Sequence, residues 1–550
     1  MLKERDAPRS DGAGASDRRH DAVGATAGKG PQAAASPRSS WFLLATASAT
    51  CALISLDTNI VAVSLPSIAR SFHAGFADVE WVVSAYMVSF ASCLLPMGGL
   101  ADRYGRKKML LSGLLVFALA SLGCGLAPNV GFLNLSRAAK GVGASLLLTA
   151  ALAVIANAFP GPRERARAWA VWGMTMGIAT TVAPLVGGVI TQWVGWRWIF
   201  LLNLPVCAVL MVCAWHSVTD SRNPHAGPVD FAGSLCFGLG LACGIWALIG
   251  AQDAGWRSPV TSLRFAACAL LIAGFVAIEK RRANAVVDLS LFSQARFVAA
   301  VLGMFGYAAC AQVMMTFLPL YLQNAFEWTP VHAGVGMLPF ALSMIVGPYL
   351  GVRIGRHSTA STSTLPIGLA LVGAGNLLTA AVAQWNAYGW VALGMIVTGL
   401  GAGVLNGDTQ KAIMACVPAH RTGMAAGIST TTRFTAIAMS VGVLGAVLAS
   451  RTQSAIDAAM PCGAADSAAG SACVDAGFMS DLLAGDVGHA LARLAPDARR
   501  ALASIAPAGF ATGFAAALGV AGALAFGVAL LVWLLAGRRQ VDERRDVARS

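Results

Sequence analysis

Charged residues are scarce in this chain of 550 residues. Asp, Glu, Lys and Arg together make up 12% of the sequence, whereas hydrophobic residues make up 57%. Because soluble domains carry about 25% charged residues, this composition excludes an ordinary soluble protein. The net charge is +13, but most of the Lys and Arg residues cluster between apolar stretches. That placement is typical of membrane topology and gives no indication of a nucleic-acid partner.

Features that other function classes need are missing as well. No G-x-x-x-x-G-K-[ST] phosphate loop and no large soluble module is present, which argues against an ATP-driven pump and against a sensor or scaffold. All eight His residues are expected in loops, tails or helix ends, and no cluster of His, Cys and acids shares one depth. This argues against a membrane-embedded enzyme, and we expect no metal and no cofactor.

What the chain does contain is a long series of apolar stretches. Each is close to the roughly 20 residues that a membrane-spanning helix requires. The sequence therefore predicts an all-α polytopic membrane protein with fourteen spans, placed at about 42–64, 80–99, 109–127, 132–155, 168–190, 198–217, 230–250, 263–280, 297–322, 332–353, 363–383, 389–411, 424–449 and 511–536.

The basic loops predict the orientation of these spans. Short Lys- and Arg-rich segments follow even-numbered spans, at 103–108, 163–167, 279–282 and 353–357. Such loops lie on the cytoplasmic side, so both termini are expected there. Residues 1–39 lack the apolar core of a signal peptide and are expected to form a disordered tail.

The loop at 451–510 is then external. Its Cys462 and Cys473 could form a disulfide or remain two unlinked thiols. An amphipathic helix is predicted around 486–505. The loop could act as a lid or a partner surface, or it could be a tolerated insertion.

Asp57 stands inside the apolar run Trp41–Pro66. A carboxylate deep in a membrane helix costs about 2.5–3.5 kcal/mol on insertion scales, so its charge must be neutralised or used. It could cap a helix break or pair with a base, or it could be a protonatable site on a transport path. The other intramembrane charges that the sequence predicts are Asp408, Arg137, Lys140 and Arg433.

Four strings resemble a known family. GGLADRYGRKKML (98–110) resembles the signature of the major facilitator superfamily, and LSRAAKGVGAS (135–145) resembles its R-x-x-Q-G motif. LDTNIVAVSLP (56–66) and GMTMGIATTVAPLVGGVI (173–190) are similar to strings of its fourteen-helix drug:proton antiporter family. The chain departs from these patterns at Asn59, Ala62 and Ala183, and at Lys140, where the family usually has Gln.

The resemblance implies an architecture. It predicts a six-helix bundle at 40–218, two inserted helices at 219–285, a second six-helix bundle at 286–537 and a short cytoplasmic tail at 538–550. It also implies a proton-coupled antiporter that exports amphipathic drugs or related small molecules across the cytoplasmic membrane by alternating access. The alternative is a proton-coupled uptake porter for a metabolite. Protons, the lipid bilayer and a small molecule are the expected partners, and a periplasmic adaptor with an outer-membrane channel is compatible with the family.

The chemistry of individual residues and the resemblance together predict their roles. Proton coupling is expected at Asp57, regulated by Arg137, with Lys140 as a second cation. Gating or motif roles are expected at Gly98, Gly99, Asp102, Arg103, Gly105, Arg106, Gly177, Pro184, Gly187, Gly188, Asp408 and Arg433, the last two as a charge pair. Substrate contacts are expected at Asn59, Tyr86, Tyr307, Met314, Phe317 and Tyr321, although core packing is an alternative role for each.

Overall fold

The computed structural model describes residues 37–159, 161–222, 230–282, 288–312, 314–356, 364–417, 422–459, 476–485, 487–492 and 496–547. Cys462 and Cys473 lie outside these residues, as does almost all of the 1–39 tail. Within the described residues the secondary structure is helical and contains no strand. The described ranges contain fourteen helical spans long and apolar enough to cross a membrane, which confirms the predicted all-α polytopic fold.

The spans keep the order predicted from hydropathy, and several are broken or extended. Spans 1 to 8 are Pro37–Phe72, Phe76–Tyr104, Arg106–Gly125, Val130–Ala158, Pro162–Trp193, Trp198–Leu201 with Asn203–Ser217, Phe231–Ala254 and Pro259–Arg281. Spans 9 to 14 are Ala295–Tyr307 with Ala308–Gln312 and Met314–Asn324, Pro330–Gly336 with Leu338–Arg356, Thr364–Val382, Tyr388–Met414, Thr422–Ala459 and Pro496–Val547. Short 3-10 turns at Leu289–Ser293 and Ala383–Trp385 precede span 9 and follow span 11.

Local chemistry sets several helix starts. Asn129 accepts a hydrogen bond from the Phe132 backbone N–H at 2.8 Å and caps span 4. Thr329 caps span 10, with Pro330 in its first turn. A side-chain oxygen at this position satisfies an N–H that the helix leaves unpaired, and Pro there lacks an N–H to satisfy.

The same helix pairings occur twice along the chain. Spans 2 and 3 pack on span 4, and spans 10 and 11 pack on span 12 in the same way. Span 1 packs on span 5, joined by hydrogen bonds between Ser55 and Thr180 at 2.8 Å and between Ser64 and Thr191 at 2.6 Å. Hydroxyl pairs of this kind hold membrane helices together where apolar burial gives no driving force.

Spans 7 and 8 pack against each other, and span 7 also contacts spans 2 and 13. It therefore lies between the two groups of helices. Span 8 is peripheral, since Thr261 and Glu279 are its only buried residues among those described. Its exposed Leu263 and Leu270 suit contact with lipid.

We call the end of the molecule that carries the loops 103–108 and 163–167 the basic face, and the other end the opposite face. The two bundles meet closely at the opposite face. Gln323 of span 9 donates to the Val63 backbone oxygen of span 1 at 3.0 Å. Span 5 packs on the start of span 10, and a Cβ added at Gly188 would lie 3.0 Å from Val331 Cα.

Two short helices, Ala476–Ala484 and Val487–Ala492, cover this junction, and we call them the cap helices. Ser480 accepts a hydrogen bond from the Phe76 backbone N–H of span 2 at 3.0 Å. The Gly485 carbonyl accepts one from Arg70 of span 1 at 3.1 Å. The predicted helix around 486–505 is instead divided between Val487–Ala492 and the start of Pro496–Val547, and Ala476–Ala484 is a further helix that the sequence did not indicate.

Candidate functional site

A buried ion cluster lies inside the first bundle. It consists of Asp57 on span 1, Arg137 and Lys140 on span 4 and Asn203 on span 6, and we call it the Asp57 cluster. The Asp57 and Lys140 side chains are 0% exposed and that of Arg137 is 1% exposed. Asp57 is therefore enclosed by protein and has no contact with lipid.

Three donors converge on the Asp57 carboxylate. Arg137 Nη1 donates to Oδ2 at 3.0 Å, Asn203 Nδ2 donates to Oδ1 at 3.1 Å, and Lys140 Nζ forms an ion pair with Oδ1. Arg137 and Lys140 are three residues apart on one helix and so lie on the same face of it. The sequence argument that Asp57 pairs with a base and the argument that Arg137 regulates it therefore describe the same contact.

Arg137 is held in place by further contacts. Its Nε donates to the Val82 backbone oxygen at 2.9 Å, and its guanidinium lies 4.3 Å from the ring centroid of Tyr86. Tyr86, predicted to contact substrate, is fully buried here and packs against the cluster. Asn203 was missed by the sequence argument, although an isolated amide within the apolar run of span 6 was the signal that could have found it.

The junction between spans 2 and 3 contacts the segment that follows span 6. Asp102 and Arg106 form an ion pair at 3.0 Å. Gly105 has φ of +109°, where L side chains are strained, and it lies against Asp220. The Arg106 backbone N–H donates to Ser221 at 3.1 Å, and the Arg103 side chain is exposed.

Gly98, one of the expected motif residues, has room for a side chain in this structure. A Cβ added there would meet Thr149 at 3.9 Å, which is ordinary van der Waals contact. The neighbouring Gly99 is half-buried.

The glycines of span 5 divide into two groups. A Cβ at Gly187 would lie 2.8 Å from Ile60, and Gly188 and the buried Pro184 lie against span 10. Gly177, by contrast, has no described atom within 4 Å of such a Cβ. Gly177 therefore makes no close helix contact here, because the tight packing of span 5 is confined to its half near the opposite face, and its motif role stays a prediction.

Asp408 and Arg433 do not form the predicted pair. Asp408 is 23% exposed and pairs with the exposed Lys411 at 3.1 Å. Arg433 donates to Gln312 at 2.7 Å and lies 5.6 Å from the ring of Tyr307. Asp408 and Arg433 each contact another residue, so the prediction that they pair with each other is wrong.

Most of the predicted substrate residues pack inside the second bundle. Met314, Phe317 and Tyr307 are buried, and Tyr307 donates to Asn406 at 3.0 Å. Tyr321 donates to the Ala383 carbonyl at 2.6 Å and stacks on Phe514 with ring centroids 4.1 Å apart. Tyr321 is thus a core residue here.

Asn59 remains half-buried on span 1, with its amide bound to the Ser55 carbonyl at 2.7 Å. It is the one predicted substrate residue, of those six, that keeps some exposure. Buried acids among the described residues that the sequence inventory missed are Glu80 on span 2, Asp230 before span 7, Glu279 on span 8 and Asp481 on the first cap helix.

Span 9 contains a π-helical segment at Ala308–Gln312 that the sequence did not indicate. Its displaced carbonyls have side-chain partners, since Asn376 donates to Cys310 at 2.9 Å and Ser440 donates to Ala309 at 2.6 Å. Segments of this type are frequent at functional sites. Here it places Gln312 beside Arg433.

Comparison with known proteins agrees with this architecture. The family model described as Major Facilitator Superfamily matches residues 47–442. The chain is 34% identical over 400 residues to the "Multidrug resistance protein Stp" of Mycobacterium tuberculosis, covering 72% of this chain and 74% of that protein. It is 30% identical over 401 residues to the "Tetracenomycin C resistance and export protein" of Streptomyces glaucescens, covering 72% and 74%.

Solved structures show the same fold at low identity. A bacterial homolog of the human lysosomal transporter Spinster, in an inward-facing and occupied conformation, superposes with a TM-score of 0.63 at 13% identity. The matched region covers 91% of this chain and 97% of that one. A peptide transporter in complex with sulfate gives a TM-score of 0.60 at 14% identity, covering 91% and 95%.

Proposed function

Since the chain belongs to the Major Facilitator Superfamily, a family of multi-pass membrane transporters rather than enzymes, we propose that it exports amphipathic drugs or related small molecules in exchange for protons. The relatives reported above are named for resistance and export, which favours export over the alternative of metabolite uptake. The proton gradient would supply the energy, so the proposal needs no cofactor. We place the protein in the cytoplasmic membrane with both termini in the cytoplasm.

The observation that carries the proton-coupling part of the proposal is the Asp57 cluster. Its ionisable side chains are sealed from solvent and belong to two different helices, spans 1 and 4. Binding or release of a proton changes the charge of this buried group, and the cost of burying charge away from water is large. A change in protonation can therefore favour one arrangement of the helices over another.

The contacts between bundles support alternating access. They join spans 1 and 9 and spans 5 and 10 at the opposite face, which the basic loops predict to be external, and the cap helices cover them. This arrangement is closed to the outside. In the proposed cycle these contacts break when the bundles rock about the midplane.

For the substrate we propose a neutral or singly charged amphiphile. Among the described residues the buried acids are Asp57, Glu80, Asp230, Glu279 and Asp481, and Asp57 is already paired with two cations. A dication would therefore find little compensation. A periplasmic adaptor and an outer-membrane channel remain proposed partners.

The test uses purified protein in lipid vesicles with an imposed proton gradient and ethidium as the fluorescent probe. We expect Asp57→Asn to abolish gradient-driven efflux, because it removes the one anion that compensates Arg137 and Lys140. Asp457→Asn is the matched control, since Asp457 is exposed, and it should transport like the wild type. Undiminished coupled efflux in Asp57→Asn would refute the assignment.

A susceptibility panel of dyes, biocides, antibiotics and metabolites checks the choice of ethidium as the probe. The panel compares cells with and without expression of the protein. A wild type that exports no compound of this panel under the gradient would refute the proposed function.

A further inference from the structure

The charges of the Asp57 cluster do not balance. One carboxylate, Asp57, faces two cations, Arg137 and Lys140, and all three side chains are at most 1% exposed. With its groups in their ordinary charge states the cluster carries a net charge of +1. Burying a net charge away from water is costly unless it is compensated.

Among the described residues, no second carboxylate forms a hydrogen bond or an ion pair with the cluster. Titratable side chains that lie close to it include Tyr86 of span 2, Cys124 of span 3 and Cys207 of span 6. All three are neutral in their ordinary forms. Glu80, the buried acid of span 2, lies instead beside Gly445 of span 13.

Only one proton transfer brings the cluster to neutrality. Protonation of Asp57 would raise its net charge from +1 to +2. Arg137 cannot act, because a guanidinium does not lose its proton in proteins. Loss of a proton from the Lys140 ammonium leaves one negative and one positive charge.

The hydrogen bonds of the cluster agree with the conclusion that Lys140 is the group that loses a proton. Arg137 is well satisfied, with the Val82 carbonyl and Asp57 as acceptors. For Lys140, Asp57 is the one hydrogen-bond acceptor within the described part of the chain, and the rings of Phe117 and Phe200 lie 4.7 and 5.0 Å from Nζ. An ammonium has three N–H donors to satisfy, so the charged form of Lys140 has one hydrogen-bond acceptor for three donors and otherwise only the faces of these two rings.

We propose that the proton exchanged by this transporter is carried by Lys140 Nζ, while Asp57 remains a carboxylate throughout the cycle. The step is R–NH₃⁺ → R–NH₂ + H⁺, with the proton passing to water when the cluster opens to one side and returning from water on the other. The proposal rests on the proposed proton antiport. It reassigns the proton from Asp57, the site expected from sequence, to the residue that stands where the family usually has Gln.

The first test locates the proton without any ligand. Infrared difference spectra of the purified protein are recorded as the pH is lowered, and the C=O stretching band of a protonated carboxyl is sought. We expect that Asp57→Asn removes no band of this kind from the wild-type spectrum. A wild-type band that disappears in Asp57→Asn, or that shifts in Asp57→Glu if the Asn variant does not fold, would overturn the proposal.

The second test uses Lys140→Arg, which keeps the positive charge and cannot release it. We expect gradient-driven ethidium efflux to fall to the level of protein-free vesicles. The matched control is Lys280→Arg at an exposed position, and it should transport like the wild type. Coupled efflux that survives in Lys140→Arg would overturn the proposal.

Equilibrium binding of ethidium distinguishes a proton-carrying role of Lys140 from a purely structural one. If ethidium and the Lys140 proton compete, the wild-type Kd should rise about tenfold for each pH unit lowered within the titration range, by thermodynamic reciprocity. The Kd of Lys140→Arg should not depend on pH, and a wild-type dependence retained in this variant would contradict the proposal. If the wild type shows no gradient-driven efflux, proton antiport fails, while the infrared spectra still decide which group of the cluster holds the proton.

Discussion

The seal between spans 5 and 10 offers a sharp test of the closed arrangement. A Cβ added at Gly188 would lie 3.0 Å from Val331 Cα, and backbone on both sides leaves little room to yield. Overpacking of this kind costs about 1–3 kcal/mol. That energy corresponds to roughly 5–150-fold in the ratio of two conformations. Gly188→Ala should therefore shift the molecule towards the arrangement that opens the opposite face.

The assay measures access to the seal from outside. Ile60→Cys places a thiol beside Gly187, where Ile60 is 3% exposed, and a membrane-impermeant thiol reagent reports how often the seal opens. The protein without Ile60→Cys gives the baseline from its native cysteines. We expect Gly188→Ala to accelerate labelling by a factor within the range given above.

The same helix provides the control. Gly177→Ala adds an identical methyl group where no described atom lies within 4 Å. Both variants change helix propensity equally, so that contribution cancels in the comparison. Equal labelling rates in Gly177→Ala and Gly188→Ala would show that the seal is not where we place it.

Three further predictions concern stability in detergent, measured by thermal unfolding. Asp57→Asn should cost about 3–5 kcal/mol, because removal of one partner leaves buried charge uncompensated, and adding Lys140→Met should recover part of that loss. Tyr321→Phe should cost about 1 kcal/mol, the typical worth of the lost hydrogen bond to Ala383, without impairing transport; a loss of transport would restore Tyr321 as a substrate residue. Asp408→Asn should change stability by at most about 1 kcal/mol, as for other exposed ion pairs, and a larger loss would show a partner other than Lys411.

The apolar stretches of the sequence located all fourteen spans, each overlapping a described helix. The ends were less well predicted. Span 1 was expected at about 42–64 and forms Pro37–Phe72, and span 14 was expected at about 511–536 and lies within Pro496–Val547. Hydropathy marks the length that must be apolar, whereas a helix continues for as long as its backbone is satisfied, so the ends extend beyond the apolar stretch.

The difference between what the sequence predicts and what it misses is clearer at the candidate site. Asp57, Arg137 and Lys140 stood out because charge inside an apolar stretch is costly wherever it occurs. Asn203 did not stand out, and neither did the π-helical turn at Ala308–Gln312. Placing an uncharged amide or a run of small residues in an apolar stretch has no comparable free-energy cost, so neither is conspicuous in the sequence.

Sequence alone determined which segments enter the membrane and which side chains must be compensated there, because both depend on the transfer of a residue out of water. Which partners meet was decided by tertiary structure. Asp57 is joined to side chains 80, 83 and 146 residues away, whereas the expected partners Asp408 and Arg433 each bind another residue. Helix packing brings residues together across such separations, and neither spacing nor charge along the chain specifies that packing.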